Sequence, residues 1–176
     1  MKTTPTMVLF WRTPEIYSNW HPARFTAEDG VQFDLSEQSM MWAKAHIMGD
    51  HAMAARMLTV TSGRKLKEMG RDVKNYQEAL WLKHRLAVMV HSCYLKFSQN
   101  PAMKAELLAT GDRILVEASP DDTNWGIGLE ESDPRCLDQS QWLGLNLLGE
   151  ALMIVRALLR VDAPLPAEYL EWKLAA

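Results

Sequence analysis

The sequence predicts an α+β fold: a mostly helical single domain with a small β-sheet or hairpin. Long stretches carry apolar residues at helical spacing. Two short runs, Met7–Trp11 and Arg113–Ala118, have strand character, and an Asp-Gly pair separates alternating runs between Phe25 and Phe33. The chain has 176 residues, 48% of them apolar and 23% charged, which suits one domain with a sizeable core. A net charge of -3 excludes a general attraction to nucleic acid but leaves room for a local basic groove. Cys93 and Cys136 are too few for a disulfide framework and suit a reducing compartment. The N-terminal residues lack a signal-peptide pattern, and no apolar run reaches membrane-spanning length. The expectation is a soluble, cytoplasmic protein with no membrane partner.

Taken in order, Met7–Trp11 is a short buried strand closed by Thr13-Pro14, and a loop with Ser18-Asn19-Trp20 follows. Phe25-Thr26-Ala27 and Val31-Gln32-Phe33 flank Glu28-Asp29-Gly30 and predict a hairpin. The opening helix starts at Asp34 and ends near Gly49, with Met40, Met41 and Ala45 on its apolar stripe. Glu37 and Lys44 stand about two turns apart on that stripe. Two readings stand side by side here. Asp34 and Glu37 form a capping box while Lys44 lays its stem on the core and sends its head to water. Alternatively, a buried carboxylate and amine flank a ligand, because burying both without a partner is costly.

His51–Leu58 is a short helix with Asp50 as its N-cap. The basic run Ser62–Gly70, closed by Gly70-Arg71, is either a solvated face or a phosphate binder using arginine's planar fork. Tyr76–Phe97 is the longest helix, with Asn75 and Glu78 as a capping box and Leu82, Leu86, Met89, Val90, Cys93 and Phe97 facing inward. His84 and His91 on this helix match no established ligand spacing, so no metal site is predicted; they face solvent or are hydrogen-bonded.

Asn100-Pro101 opens the next helix and Thr110-Gly111 ends it. Arg113–Ala118, the strongest strand, runs into Ser119–Gly128, where two acids, Trp125 and two glycines follow a strand end. Such a loop either carries function or is a plain turn with Trp125 in the core. After the polar loop Glu130–Ser140, Trp142–Arg160 is an amphipathic helix with Leu145, Leu148, Leu152, Val155 and Leu159 on its stripe. Asn146, near its buried face, bonds either nearby backbone or a ligand hydroxyl. Residues 1–160 form the domain, and residues 161–176 form a C-terminal extension packed on it through Tyr169, Leu170 and Trp172.

Several of these stretches, in order, resemble the NADAR family of YbiA-type N-glycosidases. They are Ser18-Asn19-Trp20, Glu37-Gln38 with Met41 and Lys44-Ala45, Gly70-Arg71 with Val73, and Lys96-Phe97-Ser98-Gln99-Asn100. Leu107–Asp112, Leu115–Pro120, Asp122, Trp125–Gly128 and Trp142–Met153 complete the set, which runs to about Arg160. Each piece alone is weak; the ordered set is highly specific. Ser39 and Asp121 stand where the family often has aromatics, which bears on the pocket wall.

The resemblance implies an α+β fold and cleavage of an N-glycosidic bond between ribose and a base-like amine. Two substrate types go with it: ADP-ribose on a nucleobase, particularly guanine in DNA, and ribosylamino-pyrimidine intermediates of riboflavin synthesis. The chemistry needs charge stabilised at the anomeric carbon and a proton for the departing nitrogen. Glu37 and Asp122 supply a carboxylate pair if the loop folds over the opening helix. Lys44 offers another route, attacking the ring-opened sugar as a neutral amine to form a Schiff base, with Glu37 moving protons. The resemblance favours the lysine route on ADP-ribosylated guanine, with the catalytic set Lys44, Glu37 and Asp122.

In that reading Asn19 and Asn146 hold sugar hydroxyls or phosphate, and Arg71 contacts phosphate. Trp125 stacks on a base, Gly126 and Gly128 let the backbone come close, and Trp20 flanks the site. No cofactor or metal is called for. The expected partner is a nucleotide-type ligand carrying ADP-ribose, with ADP-ribosylated DNA as the macromolecular candidate. Two readings from other classes compete. A non-catalytic NAD or ADP-ribose binding module would not need Lys44 as a nucleophile, and a helical interaction protein leaves the Asp122–Gly128 loop unexplained.

Overall fold

The computed structural model describes residues 1–175. In chain order the elements are β1 (Lys2–Thr3), β2 (Met7–Phe10), β3 (Phe25–Thr26), β4 (Gln32–Phe33), α1 (Ser36–Ile47), α2 (His51–Met57) and α3 (Gly63–Arg71). Then come α4 (Glu78–Gln99), α5 (Pro101–Ala109), β5 (Ile114–Glu117) and α6 (Leu147–Arg160), with 3-10 segments at Pro134–Leu137, Gln139–Gln141 and Ala167–Leu174. Helices dominate, beside a three-stranded sheet β1-β2-β5 and the hairpin β3-β4, so the fold is α+β as the sequence predicts. No helix among the described residues is long and apolar enough to cross a membrane. The chain divides into two compact units, Met1–His21 with Ala102–Ala163, and Pro22–Pro101 with Pro164–Ala176.

In the first unit β2 is the central strand, antiparallel to β1 and parallel to β5, with Val8 opposite Leu115 and Phe10 opposite Glu117. Its residues are buried throughout, as a strand covered on both faces requires. Met7, Leu9, Val116, Ala118, Ile127 and Cys136 form one core cluster, and Trp142 packs against it. Beyond β5 the loop is fastened to the segment before α6. Leu143 N–H donates to the Ile127 carbonyl at 2.9 Å, Leu145 N–H to Thr123 at 2.9 Å, Asn146 N–H to Gly126 at 3.1 Å and Leu148 N–H to Trp125 at 3.1 Å.

This fastening overturns the expected helix over Trp142–Arg160. Leu143, Leu145 and Asn146 spend their N–H groups on the loop, Asn146 takes a left-handed φ of 55°, and the helix begins only at Leu147. Leu145, expected on the buried stripe, is consequently exposed. The Asn146 side chain braces β5: Nδ2 donates to the Leu115 carbonyl at 2.9 Å, and Oδ1 accepts from Glu117 N–H at 3.0 Å. A Cβ on Gly149 would collide with that same Leu115 carbonyl, so glycine is what lets α6 approach β5 at backbone distance.

In the second unit α1 packs against α2, α3 and α4. The N-cap of α1 is Leu35, with no side-chain cap, rather than Asp34. Asp34 N–H donates to Gln38 Oε1 at 2.8 Å, so Gln38 takes the role the expected capping box gave to Glu37. Gln38 Nε2 also reaches the carbonyls of Met57 at 3.1 Å and Val60 at 3.0 Å, which ties α1 to the end of α2. Asp50 does cap α2, accepting from Met53 N–H at 3.1 Å. The capping box at Asn75 and Glu78 is absent: α4 starts at Glu78 after Gln77, and Asn75 lies in the preceding turn with φ 55°. Met89, Val90, Cys93 and Phe97 are buried as expected, whereas Leu82 is exposed.

The hairpin pairs Phe25 with Phe33 and packs both against Leu95 and Trp42. The segment Ala167–Leu174 lies on α4 and buries Trp172, whose ring meets Trp42 at 6.4 Å and His91 at 5.6 Å. Glu28, in the hairpin turn, ties these pieces together. It bonds His91 Nε2 at 3.0 Å and Lys173 Nζ at 2.6 Å.

Two outcomes follow from these braces. Asn146→Ala deletes both bonds to β5 and leaves a partly buried N–H and a buried carbonyl unmet, so unfolding free energy should drop by about 2 kcal/mol or more in a urea titration. An unchanged midpoint would show that β5 does not depend on the brace. Partial burial pushes the Glu28 carboxyl up, but bonds from Lys173 and His91 outweigh this and hold it at about 2, below its ordinary 4.5. A depressed carboxyl stabilises the fold above its unfolded value, and that contribution is lost as pH falls through the folded one. The stability gap between wild type and Glu28→Gln should therefore be full above pH 4.5 and close as pH falls towards about 2. Thermal melts across that range would check it; a gap independent of pH would remove Glu28 from the linkage.

Candidate active site

Lys44 sits in the third turn of α1, and the second unit places a shell around its amine. Gly70 eases the approach of α3 to α1, since a Cβ there would displace the flexible Met41 thioether. That approach brings one of the terminal carbonyls of α3 to the amine: Lys44 Nζ donates to Gly70 O at 2.6 Å. Helix-end carbonyls lack intrahelical donors and carry partial negative charge, so a cation there is favoured. Nζ also lies 4.5 Å from the Tyr76 ring centroid and 5.8 Å from that of Trp81, within the range of cation–π attraction.

These groups act on the proton affinity of the amine in opposite senses. Burial pushes the Lys44 pKa down, and the negative charge of Glu37 opposes it; burial wins, and the amine is held below the usual lysine value. Glu37 itself is only 4% exposed. The expected placing of a carboxylate and an amine on one buried stretch of α1 is therefore met. Arg71, the last residue of α3, is exposed and directly follows the carbonyl that holds Lys44.

The sequence did not single out Tyr76 or Trp81 as neighbours of Lys44. Neither shares an element with it, so no local spacing signals the contact. Lys96 on α4, within one of the quoted stretches, is a second amine of note. It is almost wholly buried, and burial, opposed by Cys93, brings its pKa down to about 8.

The remaining expected site residues lie in the first unit. Asp122 Oδ1 accepts from the N–H groups of Asn124 at 3.0 Å and Trp125 at 2.8 Å, so this carboxylate shapes the loop that presents Trp125. Trp125 is half-buried, neither sunk in the core nor free of it. Gly126 is buried, and a Cβ there would press on the Glu117 carbonyl at 2.8 Å; Gly128 takes a φ of 70°. The side chain of Asn146 is engaged with β5. Asn19 is buried, and its Oδ1 has no hydrogen-bond partner among the described residues, an arrangement that a water or a ligand commonly accounts for. Trp20 next to it is half-buried, with its N–H on Ser18 Oγ at 3.2 Å. The structure thus groups Glu37, Lys44 and Arg71 in one unit, and Asn19, Trp20, Asp122, Trp125, Gly126, Gly128 and Asn146 in the other. Among the described residues no group of three or more His, Cys, Asp or Glu side chains is placed to hold a metal ion.

Comparison with known proteins places this geometry in context. The chain is 37% identical over 145 residues to N-glycosidase R617 of Acanthamoeba polyphaga mimivirus, an alignment covering 80% of this chain and 85% of that one. It is 29% identical over 147 residues to riboflavin biosynthesis protein VVA0006 of Vibrio vulnificus, covering 84% of this chain but only 36% of that longer protein. Its fold matches the NMR structure of the Escherichia coli protein YbiA with a TM-score of 0.73 and 26% identity, over 92% of this chain and 89% of that one. The model of the NADAR domain matches residues 9–160, nearly the whole chain, and the protein belongs to the NADAR family.

Proposed function

We propose that this protein is an N-glycosidase that hydrolyses the bond between ribose and a base-like amine, with ADP-ribosylated guanine in DNA as its substrate. The relative named as an N-glycosidase supports the reaction class. The observation that carries the mechanism is the half-buried Lys44 amine, its pKa lowered by burial, with the buried Glu37 on the same helix. An amine so placed has a larger neutral fraction near neutral pH, and neutral amine is the nucleophile.

The steps balance as follows. The bond from the anomeric carbon to the ring oxygen breaks; the oxygen takes a proton, and the lone pair of the base nitrogen forms a C=N bond. The Lys44 lone pair then adds to that carbon. Glu37 relays the surplus ammonium proton to the base nitrogen, which leaves with the electron pair of its bond to the sugar. The resulting Lys44 iminium is hydrolysed by water, which returns the amine and releases the sugar as an aldehyde that recloses. Arg71 is proposed to meet phosphate. In the first unit Asn19 Oδ1 is proposed to accept a sugar hydroxyl, and Trp125 to stack on a base over the close backbone of Gly126 and Gly128. Trp20 and Asn146 are proposed to support that binding, and Asp122 to act through the loop it holds.

The riboflavin-named relative favours a second reading, hydrolysis of a phosphorylated ribosylamino-pyrimidine, which the same amine chemistry serves. An oligonucleotide bearing ADP-ribosyl-guanine, followed by mass spectrometry, tests the first. Wild type should release ADP-ribose, Lys44→Ala and Lys44→Arg should lose essentially all turnover, and Glu37→Gln should fall by about 100-fold or more. Normal turnover by Lys44→Arg would defeat the imine route, since a guanidinium forms no such adduct. Turnover of the pyrimidine phosphate alone would move the assignment to the second substrate, and tight binding without turnover of either would make the chain a binding module.

A further inference from the structure

We infer that Tyr76 and Trp81 are positioning residues for Lys44, holding positive charge at Nζ both in the resting ammonium and in the iminium that forms on the sugar. The second half of this inference rests on the Lys44 imine reading; the first half does not. The rings stand 4.5 and 5.8 Å from Nζ, on the turn before α4 and on α4 itself, while the amine belongs to α1. Trp81 is buried, whereas Tyr76 is 46% exposed. An aromatic face attracts a cation and does nothing comparable for a neutral amine.

The consequence for the reaction depends on charge bookkeeping at a single atom. The nitrogen starts positive, must become neutral to attack, and becomes positive again once the C=N bond forms. A ring that favours the cation lowers the ammonium and the iminium together, and leaves the neutral amine where it was. Removing the ring therefore has little effect on the rate while the resting state is ammonium, because resting state and intermediate lose the same stabilisation. Once the resting amine is neutral, only the intermediate loses, and the rate falls. A purely structural role for Tyr76 would lower the rate by one factor at every pH.

Tyr76→Leu and Tyr76→Phe, compared with wild type, test this in two ways. In the first, lysine amines are methylated with a carbon-13 label and titrated by NMR, the Lys44 signal being assigned by its absence from Lys44→Arg. Tyr76→Leu should lower the Lys44 titration midpoint by about 0.5 to 1 pH unit, and Tyr76→Phe should leave it in place. In the second, borohydride trapping of the sugar adduct is followed against pH on the unmodified proteins. The wild-type to Tyr76→Leu ratio of initial trapping rates should be near one on the acid limb and rise about three- to tenfold on the alkaline plateau. An unmoved midpoint in Tyr76→Leu would overturn the inference outright. A moved midpoint with a pH-independent rate ratio would overturn the iminium role. Failure of wild type to trap any adduct would overturn the imine reading, and that role with it, while the titration still decides whether the rings hold the ammonium.

Discussion

A primary amine is costly to bury, and the neighbourhood of Lys44 is organised by that constraint. The fold answers it with groups that prefer a cation: the Gly70 carbonyl at the end of α3, the faces of Tyr76 and Trp81, and the charge of Glu37. Each of these depends on a packing decision elsewhere. The carbonyl is within reach because Gly70 lets α3 close on Met41 of α1. Trp81 is in place because α4 packs on α1. Burial still wins, so the amine holds its proton less strongly than a lysine in water.

The first unit solves a different problem, holding an irregular loop without surrounding it by regular structure. Its means are backbone bonds from residues 143–148 and the Asp122 carboxylate turned onto its own loop. Asn146 serves the same end from the other side, with both ends of its amide on β5. Polar side chains that look like ligand contacts are thus partly consumed by the architecture. Asn19 differs, because its Oδ1 is buried with no donor among the described residues to meet it. A buried acceptor without a donor is costly, and a ligand hydroxyl is one group that would supply a donor.

How much of this was legible in the sequence depended on whether the signal was local. The α4 helix, the β5 strand and the hairpin at Gly30 follow from periodicity and turn chemistry within a few residues, and all are present. The placing of Glu37 and Lys44 followed from helical spacing alone. The start of α6 did not, because Trp142–Leu145 continues the apolar period by coincidence while the N–H groups of Leu143 and Leu145 are taken by Ile127 and Thr123 of the preceding loop. The expected capping box at Asp34 and Glu37 failed because Gln38, with donors and acceptors in reach across α2, takes the helix start, a competition that no four-residue pattern records. The one at Asn75 and Glu78 failed because α4 starts after Gln77, with Asn75 in the preceding turn. Tyr76 and Trp81 belong to this class as well, since only packing brings them to Lys44.

The opposed influences on Lys44 fit the course of the proposed imine reaction. A site built to store a neutral nucleophile would exclude carboxylates, carbonyls and aromatic faces, and would lower the pKa by burial alone. A site built only to hold a structural ammonium has no need for the burial. Partial desolvation combined with cation-favouring neighbours suits an atom that must lose its charge briefly and regain it on a covalent intermediate. Both proposed substrates would pass through the same nitrogen, so in this proposal Lys44 and its shell set the reaction class. The choice of substrate would then fall to groups that meet the base and the phosphates, a role proposed for the exposed Arg71, which directly follows the carbonyl that holds the amine.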